Sequence, residues 1–514
     1  MNAADLLPGN ARRFPNRPAL IYDDRTYSFS QLDGRANQAA NALQSLGVQK
    51  RDVVALYTMN CPEWIEVFFA AGKIGAIIVP VNFRLRGGEL HDILRHCEAS
   101  VLIFDEELDS EVDQIRGGDL SQIHTIELGH RTASWALEYE SWVSQAATTP
   151  PQEEVAGKDH HSICYTSGTT GRPKGAILTH NNVVIGTHYL SLANIGYTQE
   201  DTFLNPTPLC HRAGWARLIQ SLGVGARQVL IRRFDPEKVL HLIERHRVTM
   251  AGFVPTMVRM MDQVSRKPDV SSLRKLLTTG EACPPPIKDR IFDLFPGVEL
   301  ITSFASTEAG IIALMSSKDP SYDPDGTGRP VMEVQVRILS DDGSARAAGE
   351  VGEILVRSGA PGEAGIMLGY LKDPAANEAC FDGGWFRTGD CGFMSEQGLL
   401  YLCDRKKDMI LSGGLNIYSK EVEHALLDHP AVEDAAVVGK PDPVWGEAVV
   451  AFVVRRPGAE VDDEALIAHC KQRLASYKKP QVVHLVEDLP KNTAGKILKY
   501  RLRERATAEK GVRH

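Results

Sequence analysis

Strand-length apolar runs alternate with amphipathic helices, and this alternation constrains the fold most. A helix that opens with Ser28 and Gln31 at the spacing of a capping box is followed by "DVVALYTM", "PEWIEVFFAAGKIG" and "AIIVPVN". The pattern returns after residue 200 with "RQVLIRR", "PEKVLHLIERHRV" and "MAGFVP". Because strands that alternate with helices form parallel sheets covered on both faces, we predict an α/β protein with two sheet units.

The later part of the chain has a different texture. Short glycine-punctuated strands from about 326 to 401 predict a barrel-like or antiparallel β module, which completes a large N-terminal domain. Beyond "DRKKDMILSGG" the order of helix, two strands, helix and strand predicts a small α+β domain. Since 514 residues exceed the ~250–300 that one core holds, we predict domains 1–403 and 404–514 that meet at Asp404.

Composition excludes several classes of protein. Hydrophobic residues make up 43% and charged residues 24%, as in folded soluble proteins, and the net charge of −9 disfavours nucleic acid as a partner. The nine cysteines form no C-x-x-C pair, and "MNAADLLPGNARRFPNRPAL" lacks the apolar core of a signal peptide. The most apolar segment is broken by Lys73 and Pro80, so we expect a cytoplasmic protein without a membrane span.

The segment "YTSGTTGRPKGAILTH", residues 165–180, predicts a phosphate-binding loop. It follows the strand-like "SICYT" and precedes a helix expected from about Asn181. Backbone N–H groups of a glycine-rich turn, together with hydroxyls and a lysine, suit polyphosphate oxygens. The glycine spacing does not match the G-x-x-x-x-G-K-[ST] loop, so a different nucleotide chemistry is indicated. The residues predicted to bind phosphate are Thr166, Ser167, Gly168, Thr169, Thr170, Gly171 and Lys174.

Five segments in order resemble the adenylate-forming enzymes, which include acyl-CoA synthetases, luciferases and peptide-synthetase adenylation domains. They are "YTSGTTGRPKG", "FASTE", "WFRTGD", "DRKKDMILSGGLNIYSKEVE" and "PKNTAGKILK". The resemblance implies a large N-terminal domain and a small mobile C-terminal domain, with ATP and a carboxylic acid bound between them. It also implies formation of an acyl-adenylate, followed by transfer of the acyl group to CoA.

The resemblance implies roles for residues around the nucleotide. Asp390 would accept hydrogen bonds from the ribose hydroxyls, and Arg405 would contact the ribose and phosphate. Phe304 stands where the family usually has a tyrosine against adenine, and stacking needs only its aromatic face. The other residues implied to bind ATP or AMP are Gly280, Glu281, Ala282, Ser303, Ala305, Ser306 and Thr307.

Catalysis would need positive charge beside the reacting carboxylate and α-phosphate, which are both anions. By resemblance Lys496 would reach both anions, and Glu308 beside Thr169 would hold Mg²⁺. Asp404 would be the hinge about which the small domain rotates between the two half-reactions. The residues implied to contact CoA are Gly413, Gly414, Trp445, Tyr477 and Lys479.

The acid is the part that the sequence defines least. His211 stands where peptide-synthetase domains place an aspartate for the amino group, so α-amino acids are disfavoured; it resembles the aromatic gate of acyl-CoA synthetases. We expect a medium- or long-chain fatty acid, with aryl or cinnamoyl acids next and a dicarboxylic acid if Arg212 or Arg217 points inward. A protein that loads a carrier domain is a minor alternative, and a homodimer is allowed. The predicted acid pocket comprises His211, Trp215, Phe304, Ala309, Ile312 and Ala313.

Overall fold

The structure is a computed structural model that describes residues 2–129, 133–166, 173–265, 268–280, 283–491 and 497–508. Its strands, in chain order, are β1 (Pro18–Tyr22), β2 (Arg25–Ser28), β3 (Val53–Tyr57), β4 (Ile77–Pro80), β5 (Ala99–Asp105), β6 (His124–Leu128), β7 (Leu137–Glu138), β8 (His160–Thr166), β9 (Lys174–Thr179), β10 (Thr202–Asn205), β11 (Arg227–Leu230), β12 (Met250–Phe253), β13 (Lys275–Thr278), β14 (Glu299–Ser306), β15 (Gly310–Ser316), β16 (Arg329–Pro330), β17 (Gln335–Leu339), β18 (Gly352–Arg357), β19 (Gly369–Tyr370), β20 (Phe381–Asp382), β21 (Trp385–Met394), β22 (Leu400–Arg405), β23 (Ile410–Ser412), β24 (Leu415–Ile417), β25 (Val432–Asp442), β26 (Gly446–Arg455) and β27 (Val482–Val486).

Helices lie between these strands along the chain. The α-helices are α1 (Leu6–Arg13), α2 (Phe29–Ser45), α3 (Pro62–Ile74), α4 (Gly87–Cys97), α5 (Asp109–Asp113), α6 (Tyr139–Ser144), α7 (Leu190–Ile195), α8 (Arg212–Val224), α9 (Pro236–His246), α10 (Pro255–Asp262), α11 (Pro285–Leu294), α12 (Pro374–Cys380), α13 (Ser419–Leu427), α14 (Asp463–Arg473) and α15 (Lys499–Ala508). Short 3₁₀ turns are Ala3–Asp5, Glu106–Leu108, Gly118–Leu120, Lys406–Asp408 and Ser476–Lys478.

The described residues form four sheets. The first has the order β19-β9-β8-β4-β3-β5-β6-β7, and the second has the order β16-β15-β14-β13-β12-β10-β11-β1-β2. Both are parallel in their centres and carry antiparallel strands at one or both edges. The predicted pair of α/β units is thus present, and β1 and β2 from the chain start complete the second unit.

The other two sheets are smaller. The third is antiparallel, β17-β18-β21-β20 with β22 on β21, as the glycine-punctuated strands predict. The fourth lies wholly after β22, with the order β24-β23-β26-β25 and β27 parallel to β26, and it packs against α13, α14 and α15. A large N-terminal domain and a small C-terminal domain are therefore present, and the boundary predicted at Asp404 falls near the end of β22.

Local signals in the sequence account for the start of α2. The Ser28 hydroxyl accepts a hydrogen bond from the Gln31 N–H at 3.2 Å, and the Gln31 side chain accepts one from the Ser28 N–H at 2.8 Å. This is the predicted capping box. The helix ends at Ser45, two residues before the glycine that the sequence suggests as its end.

The helix expected from about Asn181 is not an ordinary α-helix at its start. Residues Asn182–Tyr189 form a π-helix that continues into α7. The Thr187 hydroxyl donates to the Asn182 carbonyl at 3.1 Å, and the Asn182 amide donates to the Ala364 and Ile366 carbonyls. The Thr187 hydroxyl satisfies a carbonyl of the widened turn, because backbone groups released from an α-helical ladder need other partners. The two bonds from the Asn182 side chain hold the π-helix against the segment before β19. Among the described residues, no helix has both the length and the apolar character needed to cross a membrane.

Candidate active site

A cavity of about 320 Å³ opens between the second sheet, the third sheet and the C-terminal domain. It lies beyond the carboxyl ends of β13 and β14, where open α/β sheets commonly bind ligands. Lys491 and Ile497 of the C-terminal domain line its other side. The lining residues that the sequence predicts are Gly280, Ser303, Phe304, Ala305, Asp390, Asp404 and Arg405.

The aromatic face of the cavity comes from β14. The pairing of β14 with β15 shifts register between Phe304 and Ala305, and such a bulge re-aims the side chains next to it. Phe304 is 7% exposed, with that exposure at the cavity. Gly280 lines the same space with φ +92°, a conformation that favours glycine. Ser306 accepts a hydrogen bond from the Ala309 N–H at 3.0 Å and so shapes the turn that follows.

An ion pair between a buried carboxylate and a partly exposed arginine lines the cavity from the third sheet. Asp390 of β21 and Arg405 of β22 are cross-strand partners, and the Arg405 Nε lies 2.7 Å from the Asp390 Oδ1. The Asp390 side chain is 7% exposed, whereas that of Arg405 is 36% exposed. An aromatic face, a buried carboxylate and nearby cations suit a ligand that combines a flat ring, hydroxyls and phosphates.

Glu308 follows the cavity-lining strand and belongs to a polar group. Its Oε1 accepts hydrogen bonds from the Tyr370 hydroxyl at 3.0 Å and from the Thr166 hydroxyl at 3.3 Å. Lys174 lies over the Tyr370 ring at 5.2 Å and 3.7 Å from the Asp373 carboxylate. Burial, reinforced by the charge of Glu308, raises the pKa of Tyr370, which keeps its hydroxyl a donor.

No metal site is complete in side chains alone within the described ranges, since no three His, Cys, Asp or Glu side chains converge there. A single carboxylate such as Glu308 nevertheless fits Mg²⁺, which proteins hold by one or two carboxylates together with substrate phosphates. Several predicted residues lie outside the described residues: Ser167, Gly168, Thr169, Thr170, Gly171, Glu281, Ala282 and Lys496. Lys491 and Ile497, which flank the segment that carries Lys496, are both at the cavity.

The apolar residues predicted to form the acid pocket are buried in the main core of the N-terminal domain. Trp215 of α8 and Phe304, Ala309, Ile312 and Ala313 of and around β14 and β15 belong to this one cluster and are at most 7% exposed. Trp215 packs against Phe68 at 5.7 Å between ring centroids, so this side chain also supports the core.

His211 precedes α8 as its N-cap residue. Burial, together with the charge of Arg84, lowers the pKa of His211 to about 4, so the ring is neutral at pH 7.

The residues predicted to contact CoA do not line the cavity. The Gly413 N–H donates to the Trp445 carbonyl at 2.7 Å. The Trp445 ring packs so close to Gly413 that a Cβ there would lie 3.1 Å from the nearest ring carbon. Trp445 is 53% exposed and Tyr477 43% exposed, while Lys479 is half-buried. Gly413, Gly414 and Trp445 are thus brought together on the surface of the C-terminal domain.

Asp404 anchors the C-terminal domain against β22. Its Oδ2 accepts hydrogen bonds from the Ser419 hydroxyl at 2.6 Å and from the Ser419 N–H, and the side chain is buried. Lys499 donates to the same Ser419 hydroxyl and lies 2.7 Å from Glu423. Burial lowers the pKa of Lys499, but the nearby carboxylates of Glu423 and Asp404 outweigh it, and the net shift is upward.

Sequence reasoning missed two members of the site. Tyr370 stands in "GYLKDP", a turn-like segment without a motif, and only the antiparallel pairing of β19 with β9 brings it to Glu308. Lys499 reads as one of several cations at a helix end, yet it is buried among carboxylates. The signal for Lys499 is its spacing of three residues from Lys496 within "GKILK".

The fold and the site define an adenylate-forming enzyme, and comparisons with known proteins agree. The model of the AMP-binding enzyme family matches residues 7–371, and that of the AMP-binding enzyme C-terminal domain matches residues 421–496. The chain belongs to the AMP-binding enzyme family. Within it the chain is an ATP-dependent acid–CoA ligase.

Relatives of this chain act on different acids. It is 35% identical to the long-chain-fatty-acid–CoA ligase FadD13 of Mycobacterium tuberculosis, over 94% of each chain. It is 36% identical to a feruloyl-CoA synthase of Amycolatopsis, over 96% of this chain and 97% of the relative. The crystal structure of the anthranilate CoA ligase AuaEII in complex with anthranoyl-AMP matches with a TM-score of 0.90 at 31% identity, over 98% of this chain and 97% of that one.

Proposed function

We propose that the chain joins ATP and an acid with an apolar body into an acyl-adenylate at the cavity, and then makes the acyl-CoA. The observation that carries the proposal is one cavity lined by Phe304, Asp390 and Arg405 on one side and by Lys491 and Ile497 on the other. In the first step a carboxylate oxygen bonds to the α-phosphorus and the bond to pyrophosphate breaks. In the second step the CoA sulfur bonds to the acyl carbon, and AMP leaves.

Several residues would bind ATP and stabilise charge in the first step. Phe304 would stack on adenine, and Asp390 would accept hydrogen bonds from the ribose while Arg405 contacts ribose and phosphate. Lys496 would bring a positive charge to the two reacting anions, as its place in "TAGK" suggests. Glu308, oriented by Tyr370 and Thr166, would hold Mg²⁺, which neutralises phosphate charge when bound.

The acid is proposed from the apolar residues predicted to surround it. The side chains of Trp215, Ala309 and Ile312 offer no hydrogen-bond acceptor for an α-amino group, and the neutral His211 does not supply the negative charge that such a group needs. A medium- or long-chain fatty acid therefore remains the first candidate, as for the relative FadD13. An aryl or cinnamoyl acid comes second, as for the relative feruloyl-CoA synthase.

The experiment incubates the full chain with ATP, Mg²⁺ and a panel of saturated fatty acids, benzoates and cinnamates. Pyrophosphate release and AMP release are measured with and without CoA. We expect release of both products to depend on the acid, and AMP release to increase strongly with CoA. No pyrophosphate release with any acid would contradict the proposal, and AMP release that CoA does not change would assign the acyl group to another acceptor.

A further inference from the structure

Arg217 is a buried arginine that lacks a carboxylate partner among the described residues. It lies in the second turn of α8 and is 3% exposed. Its Nη1 donates to the Thr207 hydroxyl at 2.7 Å, and its Nη2 has no hydrogen-bond partner in the described part of the chain. Burying a positive charge without an opposite charge beside it costs free energy, and buried charges in proteins are therefore ordinarily paired.

Two other partly buried arginines of the chain are paired with carboxylates. Arg35 lies 3.0 Å from the buried Glu66, and Arg232 lies 2.8 Å from the buried Asp105. Arg212, also on α8, donates to the Thr307 carbonyl through Nη1, and its Nη2 likewise has no hydrogen-bond partner in the described residues, but the nearby charge of Glu308 stabilises this cation. Arg217 thus differs from these three arginines, because no carboxylate of the described residues offsets the burial of its charge.

The guanidinium of Arg217 lies on the face of the second sheet that α8 covers. A Cβ added to Gly252 of β12 would stand 2.4 Å from the Arg217 Cζ, so the absence of a side chain at Gly252 provides the space. Gly252 pairs with Leu277 of β13, and Leu277 pairs with Ile301 of β14. Leu277 and Ile301 belong to an apolar cluster, so these neighbours offer no negative charge.

This face of the sheet leads to the nucleotide cavity. Ser303 follows Ile301 by two residues on β14, so both side chains point to the same face, and Ser303 lines the cavity. The guanidinium therefore lies deeper on the same face, two strands away across the sheet. Burial lowers the pKa of Arg217 to about 10, which still leaves the group charged at neutral pH.

We infer that Arg217 binds a second carboxylate at the far end of the acid substrate, so that the fatty or aryl acid proposed above carries a terminal carboxylate and is a dicarboxylic acid with an apolar body. This inference rests on the proposed function, because it assumes that an acid is activated at the cavity. A carboxylate would neutralise the buried cation and accept from the free N–H groups of Nη2, and Thr207 holds the guanidinium in place.

The test compares acids of equal length that differ in one terminal group. AMP release with ATP, Mg²⁺ and CoA is measured for hexanoate against adipate, octanoate against suberate, decanoate against sebacate, and 4-methylbenzoate against terephthalate. For each pair the ratio of kcat/KM, diacid to monoacid, is determined for the wild type and for Arg217→Met. We expect at least one diacid to be favoured about tenfold by the wild type and the ratio to fall on the order of 10²-fold in Arg217→Met, as for loss of a buried charge pair.

Further variants separate recognition from structure. Arg217→Lys keeps the charge and should retain part of the preference, whereas Gly252→Ala should displace the guanidinium and lower the ratio. Arg232→Met removes another arginine that is paired with Asp105 and should leave the ratio unchanged. If Arg217→Met does not fold, the diacid-to-monoacid ratio of kcat/KM is compared between the wild type, Arg217→Lys and Gly252→Ala instead.

Each outcome decides the inference. A wild type that favours the monoacid in every pair, or a ratio that the Arg217 and Gly252 variants leave unchanged, overturns the role of Arg217 but leaves the proposed function intact. Absence of pyrophosphate release with every acid overturns the proposed function itself, and the inference with it.

Discussion

The carboxylate of Asp390 and the guanidinium of Arg405 face each other across two paired strands, with 2.7 Å between Oδ1 and Nε. Because both line the cavity, the arginine holds the carboxylate that is proposed to bind the ribose. We expect Asp390→Asn to lower kcat/KM for ATP by roughly 10–10²-fold, since hydrogen bonds to charged groups contribute about 1.5–3 kcal/mol. Steady-state kinetics at saturating acid and CoA measures the change.

A double-mutant cycle tests the relationship between the two residues. Arg405→Met should lower kcat/KM for ATP by a smaller factor in the background of Asp390→Asn than in the wild type, because the two groups are in contact. Asp382→Asn is the control, since Asp382 pairs with Arg387 in the same sheet and does not line the cavity. Additive effects of the Asp390 and Arg405 variants would contradict the coupling.

Tyr370 is predicted to tune the metal site through its 3.0 Å hydrogen bond to Glu308. Tyr370→Phe removes the hydroxyl and should raise the Mg²⁺ concentration for half-maximal pyrophosphate release by about fivefold, equivalent to roughly 1 kcal/mol. Tyr57→Phe is the matched control, because the Tyr57 hydroxyl donates to the Leu85 carbonyl in the first sheet. An unchanged Mg²⁺ dependence in Tyr370→Phe would separate Tyr370 from the metal.

The fold was more accessible from the sequence than the site. Strand-length runs such as the one around Val53–Tyr57 and the capping box at Ser28 are local signals, so the two α/β units could be predicted from them. The π-helix at Asn182–Tyr189 could not, since it depends on bonds from Asn182 to residues about 180 positions away.

The same limit applies to the candidate site. Asp390 and Phe304 stand in motifs and were predicted, but the ion pair of Asp390 with Arg405 and the register shift between β14 and β15 at Phe304 depend on strand pairing. Tyr370 lies in no motif, and Lys499 ends the segment "PKNTAGKILK" without a predicted role, because the contacts of both side chains are with residues distant in the chain. The sequence left Arg212 and Arg217 as equal alternatives, and only the tertiary surroundings distinguish them, since the charge of Glu308 acts on Arg212 whereas no carboxylate of the described residues acts on Arg217.

Glu66 should make stability depend on pH. Burial, only partly offset by Arg35, raises the pKa of Glu66 from 4.5 to about 7. Since the folded state holds the proton more tightly, this stabilisation is complete below about pH 4.5 and is lost as pH rises through about 7. We expect the free energy of unfolding of the wild type, relative to Glu66→Gln, to fall by on the order of 2 kcal/mol between pH 5 and pH 8.

Urea denaturation at several pH values measures this difference, and other titrating groups cancel because both proteins contain them. Glu140→Gln is the control, since Glu140 contacts the same Arg35 at 2.7 Å but its side chain is 59% exposed. A pH profile of Glu66→Gln that parallels the wild type would show that Glu66 does not titrate in this range.

Lys496 is predicted to serve adenylation only. Lys496→Ala should lower pyrophosphate release by at least about 10²-fold, as for loss of a group that stabilises charge in the transition state, and should spare transfer from a supplied acyl-adenylate to CoA. Lys491→Ala is the control, because Lys491 also lines the cavity but is held 2.8 Å from Asp434. Equal loss of both half-reactions in Lys496→Ala would contradict a role of Lys496 in adenylation alone.

Asp404 is predicted to be the hinge that links the two half-reactions. With Lys491 and Ile497 at the cavity and the predicted CoA residues away from it, the described arrangement suits the first step, and we expect the small domain to rotate before the second. Asp404→Pro fixes φ near −65° and should block that rotation, which would lower thioester formation by at least about 10²-fold while the first step continues. Asp404→Asn weakens the contacts with Ser419 without restricting the backbone, so it should preserve both steps within a few fold. Separate assays of pyrophosphate release and of transfer from a supplied acyl-adenylate compare the two variants, and normal thioester formation in Asp404→Pro would exclude a hinge at this residue.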